Sequence, residues 1–493
     1  MGFAPTPEQA AALDAFATRG NLVIEAAAGA GKTSTLKLLA ASTAGRGIYF
    51  AYNRDIAQEA ARTFPKSVLC KTLHALAYRD TARARPYLRE RLDLPRQNAR
   101  EVAEILGISG PTRISEEVVL APAQLANIAM ETVARFARSG DDHVTRTHMP
   151  HRAGIETPES RARLAEAVGA HARIAWTDLC SPRGRLRADH DHYRKMWALT
   201  NPRLPADYLL VDEAQDSDGL TMQLIANQAR AGAQIITVGD PNQAIYGWRG
   251  AESAMDAFGG TRLRLTQSFR FGPAIAAEAN VWLRALGSTM RVRGTETIAS
   301  RVCTLPSSMT NAILCRSNAR AIETLMELND EGVRAHVVGG GADMLRLAEA
   351  AKQLAETGTT WHPELAAFST WEQVQDYVEN DAGGSDLAAA VKMIDTWGPG
   401  RIIHAVRAMA HKKDAQVMIS TAHKSKGLEW NNVAIAGDFP GPEGEDGDID
   451  PSEAMLAYVA VTRAKQRLDN AGLAWIHQNQ RLASAGRPRP TAA

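Results

Sequence analysis

The sequence predicts an α/β protein of two parallel-sheet domains, each interrupted by a mainly helical segment. Three observations carry this. Short apolar strands that run directly into glycine, aspartate or helix-opening sequence recur within 20–80, 205–270 and 311–439. The intervening stretches, 80–204 and 343–414, are rich in alanine, carry helical spacing and hold few strand signals. The chain has 493 residues, more than one hydrophobic core organises, so two to four domains are expected.

In chain order, "NLVIEAAAG" (21–29) and "GIYFAYN" (47–53) read as short buried strands, and "VLCKTLHALAY" (68–78) as a strand running into a helix. Residues 80–204 read as a helical insertion. Strands return with "YLLVDEAQD" (208–216), "QIITVGD" (234–240), "TRLRLTQSFR" (261–270), "NAILCRS" (311–317) and "RAHVVGG" (334–340). Residues 343–414 are again helical, with "MLRLAEAAKQLAE" and "LAAAVKMIDTW". "QVMISTAHKSKGLEWNNVAIAGDF" (416–439) reads as strand–loop–strand, followed by a Gly/Asp/Glu loop at 441–450 and a helix from about Pro451. The expected organisation is a first α/β domain from 1–79 and 205–264 around the insertion 80–204. A second follows from 265–342 and 415–482 around the shorter insertion 343–414, with a flexible tail at 483–493.

Composition narrows the function classes. The net charge is +1, so any nucleic-acid surface has to be a local patch. The four cysteines (Cys70, Cys180, Cys303, Cys315) are far apart, which argues against a zinc or iron–sulfur site and suits a reducing compartment. No apolar run approaches the roughly 18 residues of a membrane span, and no signal peptide opens the chain. The expectation is a soluble cytoplasmic protein with no membrane association.

Two motifs carry phosphate chemistry. "GAGKTST" (29–35) follows a strand and opens a helix. Backbone N–H groups of Ala28, Gly29, Ala30, Gly31 and Ser34 can close around phosphate oxygens with a helix N-terminus behind them. Lys32 can reach the β and γ phosphates, and Thr33 can offer a hydroxyl to Mg²⁺. The general pattern asks for glycine at position 26, where this chain has Ala26. "YLLVDEAQD" supplies the partner: Asp212 can hold Mg²⁺ and Glu213 can polarise a water for attack on the γ phosphate. ATP and Mg²⁺ are thus the expected ligands.

With these motifs in place, the chain resembles a superfamily 1 DNA helicase of the UvrD/Rep type from Thr6 to about Arg467, with the motifs in the family's order. "TPEQ" (6–9) resembles the adenine-reading Q motif and implies Gln9 as a base contact. "AAAGAGKT" resembles motif I and "VDEAQD" motif II. "VGDPNQAIYGWRGA" (238–251) resembles motif III, "LTQSFR" motif IV, "TAHKSKGLEW" motif V and "AYVAVTRAK" motif VI. Within that family the resemblance is to the motor of the F-box DNA helicase group, through "YNRDIAQEA", "FPKSVLCKTLHALAY", "HDHYRKMWAL", "LTQSFRFG" and "TAHKSKGLEW". No F-box precedes Thr6, so ubiquitin-ligase partners are not implied. The fold implied is two RecA-like P-loop NTPase domains, each with a mainly helical insertion, the second short.

The resemblance also implies roles. Gln243 senses the γ phosphate, and Arg270 and Arg463 neutralise transition-state charge, an effect worth about 10³ to 10⁵ in rate. Phe269 stands where the family stacks an aromatic ring on adenine, and Glu429 meets the ribose. The two arginines belong to the second domain, so the ATP site is expected to be complete only when both domains close. For a single-stranded track, Trp248 is the base-stacking ring, Arg249 supports its loop or touches phosphate, and Tyr246 is either grip or packing. Gly247 leaves those rings without a bulky neighbour. Further phosphate contacts are expected from Tyr52, Asn53, Thr72, His74, Thr421, His423 and Lys426. His190 and His192 suggest a metal but lack an evident third ligand, so packing is preferred. "SPRGRLR" (181–187) is either a solvated charge run or a duplex contact.

The function expected is an ATP-driven motor on single-stranded DNA and its junctions with duplex, moving 3′ to 5′ by family resemblance, in repair, recombination or replication. Two alternatives stand beside it. One is a translocase that strips proteins from single strands. The other is an ATP-switched DNA-binding subunit of a larger complex, such as a phage-defence assembly. The shorter second insertion leaves a role for a protein partner that activates unwinding. Oligomeric state and pathway are not legible.

Overall fold

The structure is a computed structural model. It describes residues 4–51, 53–116, 118–152, 155, 157–246, 254–362, 365, 368–380, 385–442 and 449–478. The chain divides into two compact units. One comprises residues 1–26 and 31–265, the other residues 27–30 and 266–493.

The first unit is organised by a six-stranded sheet. Its strands are β1 (Leu22–Ala26), β2 (Gly47–Phe50), β3 (Val68–Lys71), β6 (Tyr208–Val211), β7 (Gln234–Gly239) and β8 (Thr261–Leu265). β4 (Thr112–Arg113) and β5 (Val119–Leu120) form a separate antiparallel pair. The sheet order is β3-β2-β6-β7-β1-β8, parallel throughout. β2, β6 and β7 are buried along their whole length, as expected of parallel strands covered on both faces. Helices fill the insertion: Pro86–Leu92, Ala99–Ile105, Pro122–Arg138, Pro158–Cys180 and His190–Ala198. The longest, 23 residues, starts where Thr157 caps it and Pro158 takes the first helical position, and ends at Ser181. Its apolar face, with Leu164, Val168, Ala172, Ala175 and Leu179, shares one continuous core with Val23 and Ile48 of the sheet. The insertion is therefore fused to the sheet by apolar burial, worth roughly 25 cal/mol per Å².

The second unit repeats the scheme with β9 (Arg301–Val302), β10 (Ala312–Cys315), β11 (Ala335–Val337), β12 (Val417–Thr421), β13 (Trp430–Ile435) and β14 (Ala464–Asp469). The order is β11-β12-β10-β13-β14-β9, again parallel. Helices Ala342–Thr357, Trp371–Asn380, Ser385–Trp397 and Pro399–Ala408 occupy the second insertion. Ala348, Leu354, Ile402 and Val406 join Val417 and Ile419 of β12 in one core. β9 and β14 were not anticipated from sequence. β14, "AKQRLD", buries only Ala464 and Leu468, so its polar positions mask it. Among the described residues, no helix is long and apolar enough to cross a membrane.

Candidate nucleotide site

β6, β7 and β1 are neighbours, so the segments that leave their carboxyl ends meet on one edge of the sheet. That edge is where open parallel α/β sheets take their ligands. After β1, Gly29 and Gly31 adopt left-handed φ of 72° and 76°, which glycine reaches without a Cβ penalty. Gly31 is also the N-cap of helix Lys32–Ala41 and supplies no capping side chain. The first N–H groups of that helix therefore lack a side-chain acceptor, the arrangement in which an anion satisfies them. Ala28 and Ala30 are buried in this turn, and Ser34 is exposed.

β6 delivers the acids. Lys32 Nζ lies 3.5 Å from Glu213 Oε1. Asp212 Oδ2 accepts from Thr33 Oγ1 at 3.1 Å and from Tyr49 OH at 2.7 Å. Burial raises the Asp212 carboxyl above the usual carboxylate range, and the Glu213 charge adds to this. The Tyr49 hydrogen bond, Lys32 and Thr33 oppose it. A buried carboxylate beside a hydroxyl is a hard-oxygen pair, and Mg²⁺ is held through one or two carboxylates. Asp212 and Thr33 thus fit such an ion.

Glu213 has φ 50°, a conformation unusual for a residue with a Cβ and frequent at functional sites. Its side chain is tied to the strand-end segment of β7. Gln215 Nε2 donates to Glu213 Oε2 at 2.7 Å, and Gln215 Oε1 accepts from the Asp240 N–H at 3.1 Å. Gln243 Nε2 donates to Asp240 Oδ2 at 2.8 Å. A hydrogen-bonded chain therefore joins Gln243 to Glu213. It passes so close to Gly239 that a Cβ there would stand 2.2 Å from Gln215 Oε1. Gln9 is buried against the same helix as Lys32: its Nε2 donates to Thr35 Oγ1 at 3.2 Å, and its Oε1 accepts from the Thr6 N–H at 3.1 Å.

The second unit holds its own charged cluster. Arg270 Nε donates to Glu429 Oε2 at 2.7 Å, and its Nη1 to the Thr462 carbonyl at 3.0 Å. Lys465 Nζ lies 3.4 Å from Glu429 Oε1. Burial raises the Glu429 carboxyl, but Arg270 and Lys465 outweigh it and hold the carboxyl below its ordinary value. Arg463 is buried, with Nε on the Val459 carbonyl at 2.9 Å and Nη1 on the Leu428 carbonyl at 3.3 Å. Phe269 is 48% exposed, unlike most large apolar side chains of this unit.

The residues expected to touch the track are placed as follows. Asn53 and Thr72 cap helices Arg54–Thr63 and Leu73–Ala77, each accepting a backbone N–H with its side-chain oxygen. His74 is half-exposed, with Nε2 3.9 Å from Asp191. Asp191 also pairs with Arg138 at 3.0 Å and Arg194 at 3.1 Å, and Arg194 continues to Asp218. Thr421 ends β12 and accepts from the Lys424 N–H, while His423, Lys426 and Tyr246 are half-buried. Tyr52, Gly247, Trp248 and Arg249 lie outside the described residues. His192 is buried and accepts the Asp189 N–H in a capping box; His190 meets Tyr193 OH at 3.2 Å.

Sequence reasoning missed Tyr49, Gln215 and Asp240. Asp240 had a legible signal, an acid directly after a six-residue apolar strand, the same grammar as Asp212. Tyr49 showed only a hydroxyl within an otherwise apolar strand.

A parallel sheet with a glycine turn, a lysine-led helix and paired acids on one edge is the arrangement of a P-loop nucleotide-binding fold. Comparison with known proteins carries this further. Residues 162–256 match the UvrD/REP helicase N-terminal domain, and residues 402–469 match the UvrD-like helicase C-terminal domain. The F-box DNA helicase protein 1 of Schizosaccharomyces pombe is 28% identical over 493 aligned residues, 91% of this chain and 55% of that protein. The F-box DNA helicase 1 of Gallus gallus is 27% identical over 516, covering 94% and 48%. DNA helicase II of Haemophilus influenzae is 36% identical over 78, covering 15% and 11%. The chain thus carries matches to both the N- and the C-terminal UvrD-like helicase domains and is homologous over most of its length to the F-box DNA helicases. It spans about half the length of these two F-box relatives.

Proposed function

We propose that this chain is an ATP-dependent DNA motor that moves along single-stranded DNA from 3′ to 5′. The observation that carries the reading is the single edge on which Lys32, Thr33, Asp212 and Glu213 converge, joined through Gln215 and Asp240 to Gln243. Lys32 and the turn 28–34 bind the phosphates, while Thr33 and Asp212 would hold Mg²⁺, which would supply neutralisation of phosphate charge. Glu213 accepts the proton of the attacking water. Gln243 reports the γ phosphate to Glu213 through the intervening hydrogen bonds. Arg270 and Arg463 are the arginines assigned to transition-state charge, with Phe269 against the adenine and Gln9 on its edge. Trp248, Tyr246 and the donors Tyr52, Asn53, Thr72, His74, Thr421, His423 and Lys426 are the proposed track contacts. DNA helicase activity is the property named in the relatives, which supports DNA as the track.

The deciding experiment compares ATP-driven unwinding of a 3′-tailed and a 5′-tailed duplex. Unwinding of the 3′-tailed substrate alone is expected. ATPase without single-strand stimulation, or preference for the 5′ tail, overturns the reading.

A further inference from the structure

The basic loop 181–187 is a built surface. Arg91, 5% exposed, anchors it: Nη2 pairs with Asp178 Oδ1 at 2.7 Å, Nη1 donates to the Asp178 carbonyl at 2.8 Å, and Nε donates to the Leu186 carbonyl at 2.5 Å. Asp178 in turn accepts the backbone N–H groups of Arg185 and Leu186 at 2.9 and 2.8 Å. Gln97 closes the other side, donating to the Arg185 carbonyl at 3.0 Å and accepting the Arg187 N–H at 2.7 Å. The turn leaves no room for a side chain at Gly184, where a Cβ would fall 2.0 Å from the Asp178 carbonyl oxygen. The anchoring arginine and its aspartate neutralise each other, so the loop's outward charge is not offset from within.

That outward charge is all cationic. Arg183 and Arg185 project from the clamped loop and are exposed. Arg187 rests its Nε on the Leu94 carbonyl at 2.9 Å. Arg85 lies near enough to bias the Cys180 thiol, and exposed Arg96 adjoins Gln97. Among the described residues none of these five makes an ion pair. Among the described residues, exposed negative charge nearby comes from Glu90 and Asp93 on the adjoining helix end and from Asp189, two residues past Arg187. The loop 181–187 itself carries no aromatic residue, and neighbouring Tyr87 is half-buried with its hydroxyl on the Cys180 carbonyl at 3.0 Å.

We propose that Arg183 and Arg185, presented by the Arg91–Asp178 clamp with Arg85, Arg96 and Arg187 around them, form a second DNA surface that binds duplex through its phosphates. The clamp fixes the backbone from which these side chains leave, and the planar guanidinium fork matches phosphate oxygens. Single strands are held by stacking as well as by charge, whereas duplex binding needs charge alone. The inference deepens the motor reading by adding a duplex contact, yet it concerns binding and does not depend on turnover.

The test measures binding of the full chain, without nucleotide, to a blunt duplex and to oligo-dT across a salt series. The variants are Arg183→Ala/Arg185→Ala and Arg183→Lys/Arg185→Lys. The alanine pair should weaken duplex binding and reduce the log–log salt slope by about 1.8, two phosphate contacts at about 0.9 each. Oligo-dT affinity should change less than about twofold, and the lysine pair should keep most duplex affinity and slope. Unchanged duplex affinity and slope in the alanine pair would overturn the proposal. Equal losses on duplex and oligo-dT would overturn the duplex assignment. Loss of single-strand-stimulated ATPase in the wild type would sink the motor reading and leave the duplex result standing.

Discussion

Tyr49 donates a 2.7 Å hydrogen bond to Asp212 Oδ2, the oxygen that also accepts from Thr33. The phenol comes from the strand beside β6 and its bond favours the ionised acid, against the burial that raises it. Tyr49→Phe keeps the ring, which packs on Phe64 at 4.7 Å between centroids. Losing a hydrogen bond to a charged group should raise the Mg²⁺ concentration for half-maximal ATPase about tenfold. The saturated kcat should change less than about threefold. Titration of ATPase against Mg²⁺ checks this, and an unchanged midpoint would contradict it.

Glu213 is positioned by Gln215 at 2.7 Å and faces Lys32 at 3.5 Å. Glu213→Gln should lower kcat by about 10² to 10⁴, the range for a positioned proton acceptor, while DNA binding persists. Trp248→Ala should keep basal turnover and lose most of its single-strand stimulation, because a stacking ring contributes roughly 1–3 kcal/mol per base. Parallel ATPase and anisotropy measurements separate the two. Wild-type stimulation in Trp248→Ala would remove the stacking assignment.

Glu429 was expected at the ribose, and within its own unit it pairs with Arg270 and Lys465. If holding Arg270 is its contribution, Glu429→Gln should lower kcat about tenfold or more with little change in the KM for ATP. A ribose contact would instead raise KM. The Glu429 carboxyl is held below its ordinary value, so the pair's stabilising effect is present above the ordinary glutamate range. It is lost as pH falls through the depressed value. Steady-state kinetics of the variant decide between the two roles.

Lys195 is 1% exposed, with its ammonium on the Ser139 carbonyl at 2.9 Å and on the Asp141 carbonyl. Burial lowers it to about 8, opposed by Asp141, Asp142 and Asp218. Between that value and the ordinary 10.5 the unfolded chain binds the extra proton, so stability attributable to Lys195 rises with pH across this window. Relative to Lys195→Met, the wild type should gain on the order of 3 kcal/mol from pH 8 to 10.5, read by urea unfolding. A pH-independent difference would refute the assignment.

Much of the candidate nucleotide site was readable because its parts follow strands. A run such as "YLLVDE" tells both that a strand ends and which acids stand at its end, and "GAGKT" combines a turn that needs glycine with a helix that needs an anion. The same local grammar carried the two-domain α/β architecture and the helical character of 80–204 and 343–414. β14 escaped because the alternation in "AKQRLD" resembles a polar surface segment.

Local sequence determined which residues are candidates for phosphate and carboxylate chemistry, since strand ends, glycine turns and helix starts are short-range events. Tertiary structure alone decided their partners. Tyr49 and Asp212 are 163 positions apart, Arg270 and Glu429 159, and Arg91 and Asp178 87. A parallel sheet brings distant strand ends together through crossover connections, and the strand order that does so is set by packing of the whole unit rather than by any one segment.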